Sequence, residues 1–325
     1  AGGCGRPGMN ARRGIRIALK DTARTPTPEM NARMHRQSTI NEAIDFKGIG
    51  LHTGCPVEMI IRPAPPNAGI VFRRSDLNDF PIEAQAAHIA NVSYATTLMK
   101  KGVLISTVEH VLSALYAMGI DNAFIDVDNL EVPILDSSAR PFVEGIAAAG
   151  RRVYDERRRV LRIRREIQHA LGDKTVSAQP ADSFIVSYRI DFTHPLIGIQ
   201  EMRCAIEPEH YRREIAPGRT FGFLKEISTL KENGLAQGGS LDNAIVLTDT
   251  GLLNPEGLRF PDEFIRHKIM DFLGDFSLVG HPVHGEFHVV RGGHAVHAAM
   301  VKKIMADPAN YSLEPIPEPV ATDVA

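Results

Sequence analysis

An α+β fold made of two similar units is what the order of apolar runs along this 325-residue chain predicts. Three observations carry it: short β-type runs followed by a helix, a strand and a second helix; the return of that order in the second half; and the Gly and Pro clusters that punctuate both. The length also suits two domains better than one.

In the first half, residues 57–61, 70–72 and 81–84 read as strands. Ser106-Thr107-Val108-Glu109 has the pattern of a capping box, and Val108, Val111, Leu112 and Leu115 recur at helical spacing until Gly119. A strand over 122–127 and a helix over 139–149, ended by Gly150, close the unit. The arginine-dense residues 151–158 read as a solvated boundary. The second half repeats the order, with strands near 161–167, 174–178 and 183–190, a helix over 261–278, a strand over 286–290 and a last helix over 294–305. Residues 223–250 interrupt it with an amphipathic helix, a turn at Gly238-Gly239 and an apolar strand over 244–247. This piece reads as an insert outside the scaffold, where specificity is commonly carried.

The expected domains are therefore 37–155 and 156–308, between a basic leader over 1–36 and a Pro- and Glu-rich tail over 309–325, both expected to be disordered. In the leader, Arg6, Arg12, Arg13, Arg16, Lys20, Arg24 and Arg33 face only Asp21 and Glu29, a composition that cannot bury a core. An organelle transit peptide is the alternative, and Met9, Met30 and Met34 are each candidate starts.

Charged residues make up 23% and the formal net charge is −2, which argues against a nucleic-acid partner. No apolar run reaches the roughly 18 to 20 residues of a membrane span. Cys4, Cys55 and Cys204 form no C-x-x-C pair, so neither a disulfide framework nor a thiolate zinc cluster is indicated and a reducing compartment is the default.

The chemistry concentrates in Arg266-His267-Lys268-Ile269-Met270-Asp271-Phe272-Leu273-Gly274-Asp275. On a helix, His267 and Asp271 project from one face and can share a cation, with Asp275 one turn further along the stripe. With 13 histidines and 39 acidic residues such a pair also arises by chance, and an exposed His and Asp contact is the alternative. Phe264, Ile265, Ile269, Met270, Phe272, Leu273 and Phe276 weaken that alternative, because they make the helix apolar on most sides and its charges then need partners or a metal. A catalytic zinc takes three protein ligands. His110 is the best candidate for the third, and Glu109 beside it suits a general base for metal-bound water; a solvated helix pair is the competing reading. His294, after Arg291-Gly292-Gly293, can serve as a general acid if a carboxylate such as Asp275 holds it charged, or simply as a structural cap. His281, His284, His288 and His297 read as surface or packing residues.

Taken together, residues 37–306 resemble the UDP-3-O-acyl-N-acetylglucosamine deacetylases, which remove acetate in the committed step of lipid A synthesis. The stretches that carry the resemblance are Gly48-Ile-Gly-Leu-His-Thr-Gly54, Ser106-Thr-Val-Glu-His110, Asp121-Asn122, Glu131-Val-Pro133, Arg219-Thr-Phe-Gly-Phe223, Gly238-Gly-Ser240, His267-Lys-Ile-Met-Asp271 and Gly293-His294. The resemblance implies a β-α-α-β sandwich, two sheets with the helices between them, and one catalytic zinc, or iron(II), at the junction. It further implies His110, His267 and Asp271 as metal ligands, Glu109 as the base that activates metal-bound water, His294 as the acid, Asp275 as its orienting carboxylate, and Lys268 and Thr220 as oxyanion stabilisers. Phe221 and Phe223 are then expected to meet the hexose and the acyl passage, Arg291 the diphosphate and His52 another part of the substrate. The insert resembles a βαβ acyl passage, for which Leu224, Ile227, Ala236 and Ile245 are suitable linings. The implied partner is a UDP-linked acylated amino sugar and the implied site is the bacterial cytoplasm, with a monomer favoured. The family's usual Asp-Gly-Ser-Ala is here Asp136-Ser137-Ser138-Ala139, so the local turn can differ. Two other readings compete: a non-catalytic nucleotide-sugar or lipid binder, and a hydrolase of another acylated sugar with the same metal machinery.

Overall fold

The computed structural model describes residues 35–316; residues 1–34 of the expected leader and 317–325 of the expected tail lie outside that range. Two sheets flank a layer of helices, as the resemblance implied. Five helices matter to the site: α1 (Glu109–Ala117), α2 (Arg140–Ala149), α3 (Leu224–Glu232), α4 (Glu263–Ser277) and α5 (His294–Ala306).

The first sheet runs in the order Ile44–Ile49, Pro56–Pro63, Ala123–Val127, Ile70–Arg74, Phe80–Glu83. Along the second sheet runs the series Ile167–Leu171, Lys174–Gln179, Val283–Val290, Phe184–Asp191, Ile199–Ala205. In each, the strand that follows the central helix inserts between an antiparallel neighbour, 56–63 or 174–179, and a parallel one, 70–74 or 184–191. The duplicated unit suggested by the apolar pattern is thus a repeat of topology. Strand residues alternate between buried and half-exposed in Ala123–Val127 and Phe184–Asp191, as expected when one face of a sheet packs on helices.

α1 and α4 are buried nearly all round, the condition of helices enclosed on every side. They pack directly on one another, α2 lies beside α1 and against Ile44–Ile49, and α5 lies beside α4 and over the 167–179 hairpin. The crossing of α1 and α4 depends on Gly274: a Cβ there would stand 2.8 Å from Glu109 Cα and overlap the Glu109 carbonyl oxygen. The only side chain small enough for this contact is hydrogen.

Several expectations need correction. Arg151–Arg157 is a strand rather than a solvated boundary, pairing antiparallel with Arg36–Ile40, so a division at 155/156 falls inside it and ordered structure already includes Arg36. Its dense charge hid the alternation. The expected strand near 161–167 is two, Arg159–Ile163 and Ile167–Leu171. The tail is ordered as far as 316: Asp307 caps a short turn through Ala309 N at 2.9 Å, and Tyr311–Pro315 pairs with Arg159–Ile163 because Tyr311 and Leu313 pack on the core. The capping box at α1 does not form. Thr107 adopts φ 60 and gives its hydroxyl to Glu131 Oε1 at 2.8 Å, while Glu109 accepts Thr96 N–H. Ser137, where the resemblance led one to expect glycine, adopts φ 64, and its carbonyl accepts Thr220 N–H.

The insert is a βαβ unit that begins at Phe221: Phe221–Phe223 pairs parallel with Ile245–Leu247, and α3 connects them. Ile245 belongs to the core, whereas Leu224 is exposed and Ile227 half-buried. Gln237 N and Gly238 N donate to the carbonyls of His52 and Leu51, which ties the insert to the opposite unit.

Replacing Gly274 with alanine is expected to force α1 and α4 apart, with a loss of about 1–3 kcal/mol. Denaturant titration checks this; a variant as stable as the parent would contradict the proposed helix contact.

Candidate metal and catalytic site

Where α1 starts and α4 passes its middle, three donors converge. His110, His267 and Asp271 are buried, and their ligand atoms all lie within 4.8 Å of one another. Asp271 Oδ1 stands 3.7 Å from His110 Nε2 and 3.4 Å from His267 Nε2, and the two imidazole rings meet edge to face at 5.3 Å. Donors on a tetrahedral ion at about 2.0–2.1 Å would be separated by roughly 3.3–3.4 Å, so the set fits a small divalent cation. Two imidazoles and a carboxylate are nitrogen and oxygen ligands that suit zinc or iron(II).

His267 is prepared for that role by its surroundings. Its Nδ1–H donates to Gly218 O at 3.3 Å, which leaves the Nε2 lone pair facing Asp271, and burial drives its pKa down to about 3, so the ring is neutral. Gly218 is in turn held by its neighbour. Arg219 is buried on Glu263, Nε to Oε1 at 2.9 Å, and also reaches Glu256 Oε1 at 2.6 Å, which pins the segment before Thr220 to the start of α4. Burial opposes ionisation of Asp271, but the positive charge beside it, above all the Lys268 ammonium 2.9 Å from Oδ2, outweighs it and holds the carboxyl well below its ordinary range.

Glu109 and His294 stand together beside this set. Glu109 Oε2 accepts Thr96 N–H at 3.0 Å, and burial pushes its pKa up. Its other oxygen is 3.9 Å from His294 Nε2. His294 Nδ1–H donates to Asp275 Oδ2 at 2.8 Å; burial works against the charged ring, yet Asp275 and Glu109 raise its pKa to about 10. Of the expected site residues, Glu109, His110, His267, Lys268, Asp271, Asp275 and His294 therefore form one connected group.

The others stand around it. Phe221 packs 6.2 Å from the His267 ring and carries Lys268 Nζ 5.6 Å from its centroid. Thr220 is half-buried just before it, with its backbone bonded to Ser137 and Ile245. Phe223 faces Phe192 and His194 in the insert. Arg291 is exposed and paired with Asp173 at 3.1 Å, outside the group. His52 receives Ala236 N–H on Nδ1 at 3.4 Å, and its buried Nε2 has no hydrogen-bond partner among the described residues. Glu131 organises its loop by accepting His52 N–H and Thr53 N–H.

Sequence reasoning missed two direct partners of the group. Thr96 binds both carboxylates, donating its N–H to Glu109 and its hydroxyl to Asp275 Oδ1 at 2.5 Å. A threonine in an irregular loop gives no pattern that would reveal it. His297, taken for a packing residue, is buried with Nδ1 2.9 Å from Asp275 Oδ2. Its place three residues after His294 on one helix was a usable signal.

Residues 37–306 match the family model described as UDP-3-O-acyl N-acetylglycosamine deacetylase. Curated relatives that bear the name UDP-3-O-acyl-N-acetylglucosamine deacetylase include one from Solibacter usitatus, 47% identical over 86% of this chain and 95% of the relative. Another, from Syntrophotalea carbinolica, is 48% identical over 83% and 88%, and one from Myxococcus xanthus is 45% identical over 88% and 91%.

His267 couples the stability of the metal-free fold to pH. Its folded pKa of about 3 lies below the ordinary 6.5, so the unfolded chain binds the additional proton between those values. Stability present above pH 6.5 is lost as pH falls toward 3. Urea midpoints of chelator-treated protein are expected to decline over this window, and less steeply in His267→Gln; equal slopes would contradict a buried neutral imidazole.

Proposed function

The chain belongs to the UDP-3-O-acyl N-acetylglycosamine deacetylase family, and from that premise we propose that it hydrolyses the 2-acetamido group of a UDP-linked 3-O-acyl-N-acetylglucosamine. The products are acetate and the free amino sugar, the reaction that commits the substrate to lipid A, and the setting is the bacterial cytoplasm. The observation that carries this reading is the contact of two oppositely prepared groups, Glu109 and His294, beside a two-histidine, one-carboxylate donor set.

His110, His267 and Asp271 would hold one zinc, with iron(II) the alternative. Zinc held there supplies Lewis acidity and lowers the pKa of a coordinated water. Glu109, whose proton affinity burial raises, takes the proton of the attacking water. Thr96 N–H fixes the carboxylate for this transfer. His294, charged through Asp275, gives its Nε2 proton to the departing amine nitrogen. The Lys268 ammonium, which lies over the Phe221 ring, and the Thr220 hydroxyl would stabilise the developing oxyanion.

Binding roles extend outward from there. Phe221 contacts the hexose, and Phe223 with Leu224 and Ile227 opens the passage for the acyl chain. If Nδ1 of His52 accepts from Ala236, Nε2 carries the hydrogen, and that unpartnered N–H suits a substrate oxygen. Arg291 is proposed to exchange Asp173 for the diphosphate, where a guanidinium can bind two oxygens at once.

Purified protein is expected to release acetate from the UDP-linked acyl sugar, and Glu109→Ala to slow release by roughly 10²–10⁴ without loss of metal. Release unaffected by that change would refute the assignment of the base. Metal analysis should find about one zinc or iron per chain, and much less in His267→Ala; equal contents would remove His267 from the donor set.

A further inference from the structure

His297 sits at the back of the site with no solvent exposure, one turn beyond His294 on α5. Both rings direct Nδ1 at the same atom, Asp275 Oδ2, from 2.9 and 2.8 Å. On its far side His297 Nε2 meets the buried Tyr188 hydroxyl at 3.2 Å. The opposite carboxylate oxygen, Oδ1, takes the Thr96 hydroxyl. Asp275 therefore receives hydrogen bonds from three donors on two elements: Thr96 in the loop before Thr97–Lys100 and two positions of α5.

The hydrogen positions along this chain follow from chemistry. Asp275 is ionised and acts only as an acceptor, so the His297 nitrogen that faces it must carry hydrogen. Burial keeps the ring neutral, which leaves Nε2 as an acceptor for the Tyr188 O–H. The reverse tautomer would set a lone pair against a carboxylate oxygen at 2.9 Å. The backbone is shaped around this relay: at Gly292 a Cβ would come within 2.5 Å of the Tyr188 hydroxyl oxygen and 2.7 Å of His297 Nε2.

We propose that His297 is a positioning residue for the acid step, in which its Nδ1–H, backed by Tyr188, fixes the Asp275 carboxylate so that it holds the His294 ring toward Glu109. The proposal rests on the deacetylase reading for the identity of that step, but its geometry does not. Thr96 holds Oδ1, but among the described residues the only donor to Oδ2 besides His297 is His294, the ring that must itself be oriented. The His297 N–H gives Oδ2 an anchor independent of that ring.

Substitutions at His297 separate positioning from simple packing. His297→Leu keeps the apolar bulk and loses the donor, so kcat is expected to fall roughly 10–100-fold, with KM within about 2-fold and metal content unchanged. In His297→Asn the amide nitrogen can take the place of Nδ1, and kcat should recover to within about 3-fold of the parent. A Leu variant with parental kcat, or an Asn variant as impaired as the Leu one, would overturn the proposal. Where the variants do not fold, long-range ¹H–¹⁵N spectra of the parent protein report the same point directly: an Nδ1–H tautomer at His297 supports the relay, and an Nε2–H tautomer overturns it. Failure of the parent to release acetate would instead count against the deacetylase reading, and leaves the tautomer measurement to judge the relay.

Discussion

The contact between α1 and α4, backbone against backbone at Glu109 and Gly274, is the constraint on which the rest of the molecule depends. It puts the first turn of one helix alongside the last turn of the other. His110 consequently meets His267 and Asp271, and Glu109 comes within reach of the residue that Asp275 orients. Two sheets of the same topology wrap the pair from outside, so that neither helix has a solvent face through which the cluster could relax. Packing of this kind makes the donor set stiff before any ion arrives.

Within that enclosure two carboxylates one turn apart on α4 are kept ionised by different means. Asp271 is surrounded by two imidazoles and the Lys268 ammonium. Asp275 has the charged His294 ring against one oxygen and, beside it, two further hydrogen-bond donors, Thr96 and His297. The difference separates two tasks along a single stripe: the first carboxylate turns Oδ1 to the two imidazoles, and the second has both of its oxygens taken by hydrogen-bond donors. Burial alone would protonate either one. Their neighbours decide which keeps an oxygen facing the two imidazoles and which serves to hold another side chain.

Much of this was legible in the amino-acid sequence for identifiable reasons. The stripe His267, Asp271, Asp275 stood out because the residues around it are apolar on most sides, and the repeated order of strands and helices follows from runs whose periodicity is undisturbed. Arg36–Ile40 and Arg151–Arg157 were hidden because each strand's partner lies at the other end of the first unit and because the charged residues of Arg151–Arg157 mask its alternation. Thr96 and Glu131 were hidden for a different reason: their partners are backbone groups and carboxylates far away in sequence, and no local pattern records them. Lys268 and Thr220 acquired roles from family resemblance, since neither spacing nor composition distinguishes a lysine that leans on Phe221 from one in solvent. The αL conformation of Ser137 was not legible either, because a non-glycine residue holds it at a steric cost that local sequence does not announce.

The two halves of the donor set lie far apart in the order of synthesis. A nascent chain that has produced α1 contains His110 but nothing for it to face, and α1 has its apolar sides uncovered until α4 follows. An ion held by this set could therefore bind only after the chain has passed Asp271, and the early unit spends that interval with exposed hydrophobic surface. Long-range contacts of this kind slow folding because loop closure precedes the interactions that reward it. The arrangement that encloses the site in the finished protein thus makes it one of the last features to appear as the chain is made.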